Sequence, residues 1–213
     1  MPRDLLRLDL PDGATPRAVV LVLHGGKPRS AQAVDGRSAS WRRMAAMQQA
    51  VVADLHAVGA ASWLLRYSER GWNDGAPAAD ARWALGQVRA AHGDVPVVLL
   101  GHSMGARTAI YVADEAAVRA VVGLAPWWQP DDPVHTLVGR SIAAAHGRTD
   151  KITSARMTRA YLTRAERVAE ETRFVDMGRV GHYMLRRVAD WNAAARELTL
   201  DALTSLDGID AAS

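Results

Sequence analysis

Between the apolar run of residues 95–100 and a stretch of helical periodicity that begins at Met104 lies Gly101-His102-Ser103-Met104-Gly105. A Gly-x-Ser-x-Gly turn joining a strand to a helix presents its serine hydroxyl at the edge of a sheet. There the free N–H groups and dipole of the helix favour developing negative charge. Gly101 and Gly105 have no side chain to keep strand and helix apart, and Ser103 between them is expected in a strained backbone conformation. A hydroxyl is a poor nucleophile at neutral pH unless a base takes its proton. An imidazole near its natural pKa suits that task and can return the proton to a leaving group. The imidazole in turn needs a carboxylate to fix its tautomer and stabilise its charged form. The chemistry to look for is therefore attack of Ser103 on a carbonyl carbon, served by one histidine and one acid.

Residues this far apart meet only if the elements that carry them end along one edge. Strand-length apolar runs occur at Asp4–Leu10, Ala18–Leu23, Ser62–Tyr67, Val95–Leu100, Ala120–Leu124, Ser141–Ala145 and Arg173–Met177. Several are continuous rather than alternating, the pattern of strands buried on both faces. Segments of helical period separate them. One carries Trp41, Met44, Met47, Val51, Leu55 and Val58; a second opens at Pro77, presents Ala81, Ala84, Leu85 and Val88 and closes at Gly93. A third runs from Met104 to about Glu115. A fourth is capped by Thr153 or Ser154, and a last spans about Arg187–Leu203 with Val188, Trp191, Ala195 and Leu198 inward. This alternation predicts an α/β fold, a mostly parallel sheet of seven to eight strands with helices on both faces. No linker or repeat divides the chain, so residues 1–206 read as one domain and 207–213 as a loose tail. In such a sheet the loops at the carboxyl ends of the strands share one edge, and ligands bind there.

That edge sorts the candidates. Of the seven histidines, His56 and His92 fall on helices and read as solvated, and His135 and His146 precede the acid, in positions suited to packing. His182 follows the last strand at the productive edge and is the expected base. Asp150 follows a strand and the dipeptide His146-Gly147, and is the expected acid. The rivals Asp131 and Asp132 read as a solvated loop between Pro130 and Pro133. Met104, next after the serine, is placed to give one backbone N–H to an oxyanion.

Four motifs in this order resemble the α/β-hydrolase-fold serine hydrolases, and the resemblance extends from Ala18 to about Leu203. Leu21-Val22-Leu23-His24-Gly25-Gly26 is similar to the family's oxyanion turn, Gly101–Gly105 to its nucleophile elbow, His146–Asp150 to its acid segment and Gly181-His182 to its base loop. The resemblance implies Ser103, Asp150 and His182 as the triad. It implies the backbone N–H groups of Gly26 and Met104 as the oxyanion hole, and His24 as a neighbour of the pocket. It also implies a compact protein with no lid domain, since only Gln129–Gly139 separates Trp127-Trp128 from the next strand. In this the chain resembles dienelactone hydrolases and small carboxylesterases, although serine stands where the former usually carry cysteine. One strand, rather than the full fold's two, precedes the strand entering the oxyanion turn, which leaves its pairing open.

The resemblance implies cleavage of carboxylic ester or lactone bonds in small to medium substrates through an acyl-enzyme, with no cofactor. A catalytically silent ligand-binding protein and a cofactor-free perhydrolase or haloperoxidase-like enzyme use the same fold. Trp72, Trp127 and Trp128, near strand ends at this edge, are candidates for the pocket wall. Arg29, Arg37, Arg42 and Arg43 follow the oxyanion turn and read as a solvated loop rather than a selector of acidic substrates.

Composition narrows the field further. With 213 residues, 49% hydrophobic and 23% charged, the chain can build a core, and no apolar run approaches the roughly 20 residues of a membrane span. The start, Met-Pro-Arg-Asp-Leu-Leu-Arg, does not read as a signal peptide. The net charge of +3 is spread over arginines interleaved with acids, which does not suggest nucleic acid as a partner. The absence of cysteine excludes disulfides and thiol chemistry and fits a cytoplasmic protein. Metal and nucleotide fingerprints (His-Glu-x-x-His, Gly-x-x-x-x-Gly-Lys-Ser/Thr and Gly-x-Gly-x-x-Gly) do not occur, so neither metal nor nucleotide is expected.

Overall fold

The computed structural model describes residues 3–210. In chain order the elements are β1 (Asp4–Leu8), β2 (Ala18–Leu23), α1 (Ala39–Ala57), β3 (Ala60–Arg66), α2 (Ala76–His92) and β4 (Val97–His102). There follow α3 (Met104–Tyr111), β5 (Val118–Leu124), β6 (Ser141–His146), α4 (Ala155–Ala165), β7 (Glu171–Asp176) and α5 (Val188–Asp210). They form one seven-stranded sheet in the order β1-β3-β2-β4-β5-β6-β7. All neighbours are parallel except β1, which lies antiparallel on β3 in the register Asp4↔Arg66 to Leu8↔Ser62. The first strand is thus an edge strand.

The continuous apolar runs follow from burial on both sides. Val20, Val22, Val98 and Leu100 face a layer made by α1 and α5, with Met44, Met47, Leu55 and Trp191 packed on them. Leu21, Leu23, Leu99 and Val121 face the layer of α2, α3 and α4, with Ala81, Ala84, Ile110 and Leu162. Adjacent strands β2 and β4 therefore send their following helices, α1 and α3, to opposite faces. Such a divergence opens a crevice at the carboxyl edge between them.

Boundaries differ from the sequence expectation in instructive ways. β4 starts after Pro96, which has no N–H to give the ladder, and continues through Gly101 and His102, so the strand delivers Ser103 directly. β3, β5 and β7 each begin two residues earlier than expected, and α3 stops at Tyr111. Val188, expected inward, is 42% exposed because α5 begins only there. The last helix continues through 207–210, part of the segment expected to be loose, while 211–213 lie outside the described residues. The connection from β5 to β6 carries only one short 3-10 turn, His135–Leu137, and no lid domain. Among the described residues no helix is long and apolar enough to cross a membrane.

Candidate active site

Ser103 sits between β4 and α3 with φ 54° and ψ −115°, a conformation L-residues seldom adopt, so local contacts must impose it. Its N–H donates to the Leu124 carbonyl at 3.1 Å, and its carbonyl accepts from Trp127 N–H at 3.2 Å. A Cβ at Gly101 would lie 2.4 Å from Ala106 N, and one at Gly105 would lie 2.1 Å from Leu23 O. Both glycines are therefore required by close backbone approach, as the motif predicted.

Two later loops bring their side chains to the serine. His182 Nε2 lies 2.9 Å from Ser103 Oγ, and His182 Nδ1 lies 2.8 Å from Asp150 Oδ2. The loops are locked together: Arg148 N–H donates to Gly178 O at 2.7 Å, and a Cβ at Gly147 would lie 2.2 Å from Val180 O. His102 Nε2 lies 3.0 Å from the His182 carbonyl and donates to it, which ties the base loop to the end of β4. Burial pushes the His102 pKa down to about 3, so this ring is neutral.

The acid has more company than its pairing with His182 requires. Asp150 Oδ2 also accepts from Thr153 Oγ1 at 2.9 Å and lies 3.2 Å from His146 Nε2, while Oδ1 accepts the N–H groups of Ile152 and Thr153 at 2.8 and 2.9 Å. His146 Nδ1 lies 2.8 Å from the Thr158 hydroxyl, so the network closes with Nε2–H donating to Asp150 and Nδ1 accepting from Thr158. Burial alone would raise the Asp150 pKa. The hydrogen bonds from His146, His182 and the two backbone N–H groups outweigh it and hold the carboxyl well below the usual carboxylate range. His146 and Thr153 were not read as members of this cluster. The one sequence signal was the spacing His146-x-x-x-Asp150, within a motif from which the family reading takes only the acid.

The turn after β2 completes the edge. His24 Nδ1 donates to Gly25 O at 2.7 Å, and its Nε2 accepts from Tyr67 N–H at 3.4 Å, so the buried ring is held in one tautomer. Burial lowers its pKa to about 4, opposed by the bond to Gly25. A Cβ at Gly26 would lie 2.4 Å from Arg70 O and 2.5 Å from Met104 Sδ and Cε, so the turn after β2 packs closely on the Met104 side chain. Among the described residues neither the Gly26 N–H nor the Met104 N–H has a hydrogen-bond partner.

A cavity of about 280 Å³ opens beside Ser103; its walls include His24, Gly26, Arg43, His102, His182 and Leu185. It lies against the start of α1 and the loop before α5. The expected tryptophan wall is a correction: Trp72, Trp127 and Trp128 do not line this cavity. All three belong to the opposite layer, with α2, α3 and α4. Trp128 donates to Ala106 O at 3.0 Å, and Arg107 stacks on Trp72 and Trp127. The rival Asp132 is not solvated but 1% exposed. It is bound by Arg107 at 2.7 Å and by the Tyr111 hydroxyl at 2.8 Å, and so serves packing. His92 and His56 are half-buried rather than solvated, and His135 is exposed rather than packed.

Comparison with known proteins agrees with this architecture. A family model described as alpha/beta hydrolase fold matches residues 19–207. No curated protein matches the sequence. Among solved structures, XC6422 from Xanthomonas campestris, described as a serine hydrolase without lid, is 20% identical with a TM-score of 0.67, covering 92% of this chain and 87% of that one. Est1E from Butyrivibrio proteoclasticus is 12% identical with a TM-score of 0.72 and 95% coverage of both chains. The esterase Est2 from Thermogutta terrifontis, described with propionate bound, is 15% identical with a TM-score of 0.72, covering 97% of this chain and 90% of that one.

Proposed function

The chain belongs to the alpha/beta hydrolase fold family, and from that premise we propose that it is a serine hydrolase cleaving carboxylic ester or lactone bonds of small to medium substrates through an acyl-enzyme. The observation that carries this reading is the unbroken line from Asp150 Oδ2 to His182 Nδ1 (2.8 Å) and from His182 Nε2 to Ser103 Oγ (2.9 Å). Ser103 Oγ attacks the carbonyl carbon as His182 Nε2 takes its proton. Asp150 holds the ring in the tautomer with a free Nε2 and stabilises the imidazolium. The N–H groups of Gly26 and Met104 stabilise the tetrahedral oxyanion, each worth about a hundred- to a thousandfold in turnover. His182 then protonates the leaving alkoxide, leaving Ser103 acylated. Water, deprotonated by the same imidazole, releases the acid and restores the serine. The cavity of about 280 Å³ suits a short acyl or alcohol group, in keeping with the propionate described for the Thermogutta terrifontis esterase.

A fluorophosphonate probe is expected to label Ser103, and Ser103→Ala to lose both labelling and at least about a thousandfold in turnover of activated short-chain esters. Equal labelling and turnover in the variant would overturn the proposal.

A further inference from the structure

Arg43, on the second turn of α1, lines the cavity beside Ser103. Its Nε donates to Met184 O at 3.1 Å and its Nη2 to Asn192 Oδ1 at 3.3 Å. Both acceptors are neutral, and among the described residues no carboxylate pairs with Arg43. A guanidinium has five N–H donors, so more than half of its hydrogen-bonding capacity is unspent. Arg43 is half-buried, and burial draws its pKa below the ordinary arginine value. A cation withdrawn from water and given only neutral partners is costly to keep.

Its surroundings sharpen the point. Lys27 and Arg70 line the same cavity, and no Asp or Glu does. Lys27 is exposed, and its ammonium has no partner among the described residues. Arg70 is already held by Ala33 O at 3.1 Å and more loosely by Asp35 at 3.5 Å. The chain as a whole carries only +3, and elsewhere arginines pair with carboxylates, as Arg82 does with Glu115, Arg107 with Asp132 and Arg148 with Asp176. An acid-free wall next to the serine is therefore a local feature of the cavity and not a reflection of bulk charge.

We infer that Arg43, with the exposed Lys27 on the same cavity wall, forms a subsite for a carboxylate carried by the substrate, so that the preferred esters are monoesters of dicarboxylic acids or comparable ester-acids. This rests on the ester-hydrolase reading above and adds the substrate class to it. The bound carboxylate takes the unspent N–H groups of Arg43 in charge-assisted hydrogen bonds and neutralises a charge that the protein leaves unmatched. The missing counter-ion of the cavity is then the substrate itself.

The test compares 4-nitrophenyl hydrogen glutarate with the neutral 4-nitrophenyl pentanoate. Its readout is the ratio of their kcat/KM values rather than either rate. The wild type is expected to favour the charged ester by about tenfold or more, and Arg43→Gln to erase that preference, chiefly through KM. Arg43→Lys is expected to restore part of it, and added salt to weaken it. Should Arg43→Gln fail to fold, Lys27→Gln, at an exposed position, is expected to lower the ratio by a smaller factor. A binding arm is independent of turnover: glutarate should raise the melting temperature of wild type and of Ser103→Ala, but not of Arg43→Gln. A ratio near one that Arg43→Gln and Lys27→Gln leave unchanged, with no glutarate shift, overturns the inference while leaving the hydrolase reading intact. Glutarate protection through Arg43 in a protein that cleaves neither ester supports the anion subsite and overturns the hydrolase reading instead.

Discussion

Five donors converge on the Asp150 carboxylate: His182 Nδ1, Thr153 Oγ1, His146 Nε2 and the N–H groups of Ile152 and Thr153. Only the first belongs to the proposed proton relay. The others fix the carboxylate so that the imidazole meets an oriented, fully ionised partner. Asp150→Asn is expected to lower kcat by about four orders of magnitude, as loss of the orienting acid does in such triads. Thr153→Val removes a hydroxyl 2.9 Å from Asp150 and 3.1 Å from His182 Nδ1. It is expected to cost about tenfold in kcat with little change in KM, since Thr153 acts through its neighbours; steady-state kinetics on one activated ester separates the two parameters. Ser103, His182 and Asp150 were legible in the sequence because each stands in a short motif after a strand. Thr153 was legible only as a helix cap, yet Ser154 caps α4 by accepting from Met157 N–H at 3.4 Å. A side chain whose role depends on two loops folding against each other leaves no trace in local spacing.

At the scale of elements, the sheet was readable because β2 and the cores of β4 and β5, residues 97–100 and 120–124, are unbroken apolar runs and must be covered twice. The lining of the cavity was not. Trp72, Trp127 and Trp128 do lie near strand ends at the right edge, but which face each loop turns to depends on where its helix packs. Here the start of α1 and the loop before α5 bound the cavity while the tryptophans join the layer of α2, α3 and α4. The contact between the acid and base loops is a tight element-level constraint on the site, because a Cβ at Gly147 would meet Val180 O at 2.2 Å. Gly147→Ala is expected to push these loops apart and to lower kcat about a hundredfold, the usual cost of a displacement near 1 Å at reacting groups. Its circular dichroism should stay native, because the strands and helices do not depend on that approach. A variant with wild-type kcat would remove the loop contact from the account.

For the molecule as a whole, the site imposes a dependence on acid. His24 and His102 are buried with pKa values of about 4 and about 3, both down from 6.5. Below pH 6.5 the unfolded chain binds protons at these rings and the folded chain does not, so stability declines as pH falls from 6.5 toward those values. Asp150, whose folded pKa is also depressed, adds a further loss as pH falls through the ordinary carboxylate range and below it. Thermal melts between pH 7.5 and 4.5 are expected to show a falling melting temperature, and His24→Gln combined with His102→Gln should flatten that slope even if it lowers the plateau. The sheet order has a further consequence. Ser103 hangs from central β4, whereas Asp150 and His182 follow β6 and β7 at one margin, and β1 closes the other over Trp63, whose indole donates to Asp9 at 2.7 Å. In a variant that keeps Trp63 as its sole indole, fluorescence would report closure at the first strand, while regained turnover needs the opposite margin in place.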